Sequence, residues 1–218
     1  MAHGYPIFVE VRGRLCLVVG GGAVAERKVR GLLEQGALVR VVSPTLTPAL
    51  AAEAAAGHLV HRSRPFAPAD LEGAFLAFAA TDEPAVNAAV AAAAEAARIP
   101  VNVADDPSRS TFLVPSTLKR GDLAVAVSTG GASPALARRL RAELEEKVGE
   151  EYAALARLLG EARREVLRGV PDPKRRHDLL TRLPEDLHRA LREGGEQAAR
   201  TLLASLLREA APAAPERP

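Results

Sequence analysis

The first hundred residues alternate between short unbroken apolar runs and longer stretches in which apolar residues recur every three or four positions. Residues 15–19 (LCLVV) form such a run between Arg14 and Gly20. A run of this kind reads as a strand buried on both faces of a parallel sheet. Residues 23–35 follow with helical spacing, Val24, Val29, Leu32 and Leu33 sharing a side, and Gly36 stands where a helix ends. Residues 38–42 (LVRVV) are again strand-like, which completes one βαβ unit. The rhythm repeats: a helix over 47–56 closed by Gly57, a short strand over 59–62, and a buried strand over 75–80 ending at Thr81-Asp82. An Ala-rich helix over 83–98, with Pro84 in its first turn, and a fifth strand over 101–103 follow. Five strands alternating with helices predict a doubly wound α/β sheet.

After Pro107 the pattern changes. Apolar segments 111–116 and 123–128 flank the turn-like tetrapeptide 119–122. They lie too close for a helical crossover, so an antiparallel hairpin is expected. A Gly/Ser loop over 129–133 leads to Pro134, with Ser133 as the N-cap of a helix. From there to Arg208 the chain reads as helical, with breaks near Gly149, at 169–173, at Pro184 and at Gly194-Gly195, and a frayed tail over 211–218.

Composition narrows the function classes. Of 218 residues, 48% are apolar but only 3% aromatic, so broad base-stacking surfaces are excluded. Lys and Arg (29) nearly balance Asp and Glu (27), and the basic residues fall in short clusters that read as solvated helix faces; no nucleic-acid partner is expected. The single cysteine, Cys16, sits in an apolar run and suits a reducing compartment. No apolar run approaches the ~20 residues that cross a bilayer, and the first residues lack a basic-then-apolar leader. The expectation is a cytoplasmic protein with no membrane partner.

Three segments can carry chemistry. Gly20, Gly22 and Ala25 match a GxGxxA string between a buried strand and a helix, the context in which such a string binds a dinucleotide. Gly20 permits the turn, Gly22 lets a pyrophosphate approach the backbone, and Ala25 keeps the helix close to the sheet. The acidic residue that grips the NAD ribose is missing at the end of the second strand, where Ser43, Pro44 and Thr45 stand instead. The residues alone leave NAD and NADP both open. The second segment, Asn102 to Pro107, places Asp105 and Asp106 beyond a strand end, and no histidine occurs between Arg62 and Arg176, so base chemistry there falls to a carboxylate, a lysine or a hydroxyl. Either aspartate can equally be a turn or cap residue. The third, Ser128 to Pro134 with Arg138 beyond, can cradle an anion or be an ordinary capped turn. No metal-ligand spacing is visible.

Taken together, Tyr5-Pro-Ile-Phe8, Val18 to Lys28, Ala80-Thr-Asp82, Asn102-Val-Ala-Asp105, Phe112 to Ser116 and Val127 to Pro134 resemble the N-terminal domains of siroheme synthases, a module that also occurs alone as precorrin-2 dehydrogenase. The likeness spans roughly residues 4–145. It implies an N-terminal Rossmann domain (1–110), a hairpin-plus-helix dimerisation segment (111–148) and a C-terminal helical domain (149–218). It implies NAD-dependent oxidation of the tetrapyrrole precorrin-2 to sirohydrochlorin by a homodimer, and in some members insertion of ferrous iron. The family's essential aspartate falls on Asp105, and its cofactor contacts on Gly22, Ala23, Val24, Pro44, Thr45 and near Thr81, with Asn102 added here. Ser116, Lys119, Arg120, Ser128, Thr129 and Arg138 are the expected substrate contacts; Thr129 replaces a serine common in the family. No methyl-transferring module is expected. The rivals are a non-catalytic NAD-sensing Rossmann module and a dehydrogenase of another small acid.

Overall fold

The computed structural model describes residues 4–210; the expected frayed tail lies outside them. The chain forms two compact units. One runs to Val114 and includes Gly130–Ala132; the other comprises Pro115–Thr129 and the chain from Ser133 on.

In the first unit β1 (Leu15–Val19), β2 (Leu38–Val42), β3 (Leu59–Arg62), β4 (Leu76–Ala79) and β5 (Val101–Val103) make an all-parallel sheet in the order β3-β2-β1-β4-β5. Three helices cover it: α1 (Ala23–Glu34), α2 (Pro48–Ala55) and α3 (Pro84–Ala96). Alternate residues of each strand enter different cores. Cys16 and Val18 meet Ala25, Val29 and Leu32 of α1, whereas Leu17 and Val19 meet Val90, Ala91 and Ala94 of α3. The unbroken apolar runs follow from this two-sided burial. Cys16 is fully buried, and burial pushes its thiol up to about 11, so it stays protonated and inert.

The hairpin exists but is displaced. β6 is Ser116–Arg120 and β7 is Leu123–Val127, antiparallel, with Arg120 facing Leu123 across Gly121-Asp122. Gly121 alone of that pair has positive φ (56°), so the turn is two residues long rather than the tetrapeptide 119–122. Residues 110–112 are not in the hairpin because they pair with β5. The Thr111 amide donates to the Val101 carbonyl (2.8 Å), and the Thr111 hydroxyl accepts from the Val101 amide (2.8 Å). The Ser110 hydroxyl accepts from the Val103 amide (2.9 Å). Side-chain oxygens thus satisfy the outer edge of the last strand.

The second unit adds α4 (Pro134–Lys147), α5 (Glu151–Gly169) and α6 (Pro173–Ala210). As expected, the Ser133 hydroxyl caps α4 by accepting from the Leu136 amide. Leu155, Leu158, Ala162 and Val166 of α5 pack against Leu179, Leu183, Leu187 and Leu191 of α6. Each fully buried leucine here contributes roughly 1.5–3 kcal/mol. The expected break at Gly195 is real (φ 71°), but that at Pro184 is not. Pro184 lies on the exposed side between buried Leu183 and Leu187, so the carbonyl it leaves unbonded faces water and the helix runs on. Among the described residues no helix is long and apolar enough to cross a membrane.

Candidate active site

The turn after β1 is built by exclusion. Gly20 has φ +122°, and a Cβ there would run into the Ala80 carbonyl, because the ends of β1 and β4 are tied by the Ala80 amide to the Val19 carbonyl (2.8 Å). A Cβ on Gly21 would strike the Thr45 carbonyl and the Ser43 hydroxyl. Gly21 also accepts the Thr47 amide (2.9 Å), which fixes the β2–α2 loop against the turn. The reading of the GxGxxA string passed over Gly21, though a third consecutive glycine was the signal. Gly22 is different: a Cβ there would meet nothing within 4 Å. Gly22 is the N-cap of α1 and makes no side-chain cap bond, so the first-turn amides beside Ala23 and Val24 face open space. Ala25 is fully buried against the sheet.

At the end of β2, Ser43 is buried and its hydroxyl abuts Gly21, while Pro44 and Thr45 are exposed. Arg40 turns away and donates to the carbonyls of Asp70 (2.9 Å) and Glu72 (3.2 Å). Nearby Arg62 and Arg64 both bond the carboxylate of Asp70, which is fully buried. Burial alone would raise the Asp70 pKa; bonds from Arg64, the Ala67 amide and Arg62 outweigh it and hold it at about 2. Thr81, at the end of β4, is clamped by Asn87 of α3. The Asn87 Oδ1 accepts from the Thr81 hydroxyl (2.8 Å), and its Nδ2 donates to the Thr81 carbonyl (2.9 Å). Sequence reasoning missed Asn87, whose signal was a lone amide in an Ala-rich helix.

Beyond β5 the two aspartates part company. Asp106 caps the 3-10 turn Pro107–Arg109: its carboxylate accepts the Ser108 hydroxyl and the amides of Ser108 and Arg109, and pairs with Arg109 at 3.4 Å. Those contacts, the Ser108 hydroxyl first, hold its pKa below the usual carboxylate value. Asp105 is exposed, sits in left-handed backbone (φ 60°), and makes no side-chain hydrogen bond or ion pair among the described residues. Such backbone costs a non-glycine residue roughly 1–2 kcal/mol. The only other described non-glycine with positive φ is Arg98, which ends α3; Asp105 has no helix to end. Asn102 is buried and donates its Nδ2 to the Phe112 carbonyl (3.1 Å), so that donor is spent on holding the returning chain. Gly131 lies against the Pro107 ring.

In the second unit, Ser116 opens β6 opposite Val127. Lys119 is exposed, whereas Arg120 is mostly covered, donating to the Val148 carbonyl (3.1 Å) and pairing with Glu145 and Glu150. The Thr129 hydroxyl accepts the Ser133 amide (2.9 Å); Ser128 and Arg138 are exposed. A cavity of about 420 Å³ lies between α1 and α2, lined by Val29, Leu33, Leu50, Glu53 and His58 among others. It contains none of the expected site residues, and its open mouth and mixed rim mark an ordinary groove between two helices. Among the described residues no cluster of three metal-ligating side chains occurs.

An open parallel sheet with a glycine turn at its switch point, and a polar loop beyond the carboxyl ends of its strands, defines a Rossmann-type nucleotide-binding protein. Sequence comparison agrees and goes further. A family described as "Putative NAD(P)-binding" matches residues 7–116, and one described as "Sirohaem biosynthesis protein central" matches residues 120–147. Siroheme synthase of Methylobacillus flagellatus is 50% identical over 161 residues, covering 74% of this chain and 34% of that protein. Siroheme synthase of Chromobacterium violaceum is 47% identical over 197 residues, covering 90% of this chain and 42% of that protein. The chain therefore spans less than half the length of these curated relatives. The solved structure of SirC, precorrin-2 dehydrogenase, superposes with a TM-score of 0.76 at 31% identity, covering 93% of this chain and all of that one. The chain belongs to the family of siroheme synthases and precorrin-2 dehydrogenases.

Proposed function

We propose that this chain oxidises precorrin-2 to sirohydrochlorin with NAD as hydride acceptor. The observation that carries the reading is an open glycine turn at Gly22 and an uncapped carboxylate, Asp105, at the strand ends of one parallel sheet. Gly20, Gly22, Ala23, Val24 and Ala25 form the cradle for the pyrophosphate; Ser43, Pro44 and Thr45 lie at the adenosine end, and Thr81 and Asn102 at the ends of β4 and β5. When bound, NAD supplies the acceptor of the two electrons that leave the substrate as hydride. Asp105 takes the accompanying proton, so the substrate loses two hydrogens and the balance closes. His58 and His61 are not rivals for that role: His58 is paired with Glu53 (2.7 Å) and His61 with the Ser43 carbonyl (2.9 Å).

The substrate's acid groups call for cations and hydroxyls, and Ser116, Lys119, Arg120, Ser128, Thr129 and Arg138 fill that part in the reading. Arg120 is the weakest of them because its guanidinium already has partners. The chain acts as a cytoplasmic homodimer, joined through the hairpin and α4. Leu136 and Leu140 of α4 are exposed, and the apolar residues of β7 are half-exposed, which supports a covering partner. Ferrous iron is a second substrate, for insertion into sirohydrochlorin, with Asp105 accepting a pyrrole proton. Pure protein mixed anaerobically with NAD and precorrin-2 should give NADH and the sirohydrochlorin spectrum, and with ferrous iron the siroheme spectrum. NAD binding without NADH formation would favour the sensing module instead.

A further inference from the structure

Asp105 lacks a hydrogen-bonding holder, yet a carboxylate that takes a proton at one point of a large substrate must be held there. The charge that acts on it comes from α1. Lys28 lies on the flank of the buried stripe of that helix, half-buried, with its Nζ 5.8 Å from the centre of the Phe78 ring. That ring is itself fixed. It stacks edge-to-face on Phe112 at 5.4 Å and 88°, and the Phe112 carbonyl is bonded by Asn102. An ammonium in such a place is unusual, since lysine stems can reach solvent from most helix flanks. Burial and the neighbouring charge of Arg27 both push the Lys28 pKa down, and Asp105 is the group that opposes them. The other charges of the loop, Asp106 and Arg109, are occupied with each other.

We propose that Lys28 is the positioning residue for Asp105: an ammonium on a fixed aromatic platform that holds the carboxylate beyond β5 in its working orientation. This rests on the reading of Asp105 as the proton acceptor. The bland alternative is that Lys28 only fastens α1 to the sheet, and the two differ in kinetics. Mispositioning a catalytic group by about an ångström costs up to 10²-fold in rate without weakening cofactor binding.

The test uses the full chain, with NAD and precorrin-2, and compares Lys28→Met, Lys28→Gln, Lys28→Arg and Asp105→Asn. Lys28→Met and Lys28→Gln should lower kcat by about 10-fold or more, with KM for NAD within about twofold. Lys28→Arg, which keeps the charge and the cation–π contact, should recover most of the rate. Unchanged kcat in the neutral variants overturns the proposal. So does a rise in KM for NAD alone, or equal loss in all three Lys28 variants alongside a lower melting temperature. Failure of both neutral variants to fold would make Lys28 structural, which also overturns it. If Asp105→Asn keeps its turnover, the catalytic reading falls; if it is dead while Lys28→Met is normal, only the positioning proposal falls.

Discussion

The two units spend their polar residues differently. In the first, polar groups gather where the chain reverses: Ser43 against Gly21, Asn87 on Thr81, Asp70 on two arginines, and Ser110 and Thr111 on β5. Each is buried or half-buried and bonded to backbone or to one specific partner. In the second, charges pair along exposed helix flanks, as in Arg139 with Glu143 and Arg141 with Glu145. Around the break at Gly195, Arg157 and Arg200 share Glu196 and Glu161. An exposed pair can be re-formed by a neighbour or by water, whereas a buried one cannot. A single polar change should therefore be costly in the first unit and nearly silent in the second.

The largest effect that tests this contrast is on turnover. Asp105→Asn should lower NADH formation by ~100-fold or more, the range for losing a general base, while calorimetry finds NAD binding unchanged. Next is Gly21→Ala, which forces a methyl into the Thr45 carbonyl and should cost about 3 kcal/mol in chemical denaturation and weaken NAD binding as the turn moves. Asp70 makes a smaller, pH-dependent contribution. Its native pKa lies below its unfolded value, so its stabilisation is complete above about pH 4 and fades as pH falls towards 2, by roughly 2 kcal/mol in all. Asp70→Asn should abolish that slope in denaturation curves taken between those pH values. The smallest effect is that of Glu196→Gln, whose partners Arg157 and Arg200 keep Glu161; its melting temperature should match the parent's within the scatter of calorimetry. A clear drop there would erase the contrast between the units.

What was legible in the chain follows the same division. The strands announced themselves because two-sided burial writes an unbroken apolar run between glycines, and the βαβ order fixed the sheet. The first strand of the hairpin was misplaced by five residues at its start because Thr111 and Ser110 imitate strand pairing with hydroxyl oxygens, leaving the same alternation in the sequence. Pro184 misled because a proline reads as a stop until its carbonyl partner is seen to face solvent. Asp105 and Asp106 could not be separated by residue type. Only the backbone does so, by making one a cap and leaving the other in left-handed geometry. Lys28 sat within the string that carried the family resemblance, but its depth depends on Phe78 and Phe112, fifty and more residues away.

The hydroxyls of Ser110 and Thr111 have one more consequence, for how the protein behaves in a crowded solution. An edge strand with bare amides and carbonyls is a template for another chain, and concentrated proteins aggregate through such edges. At β5 the outward-facing groups of Val101 and Val103 are taken up by the chain itself, so that side of the sheet offers no template. The opposite edge, β3, is only four residues long and ends at Arg62, itself tied to Asp70. Replacing the two hydroxyls by methyls would leave the side-chain volumes nearly unchanged and reopen a sticky margin, turning a freely dispersed protein into one that sediments as its concentration rises.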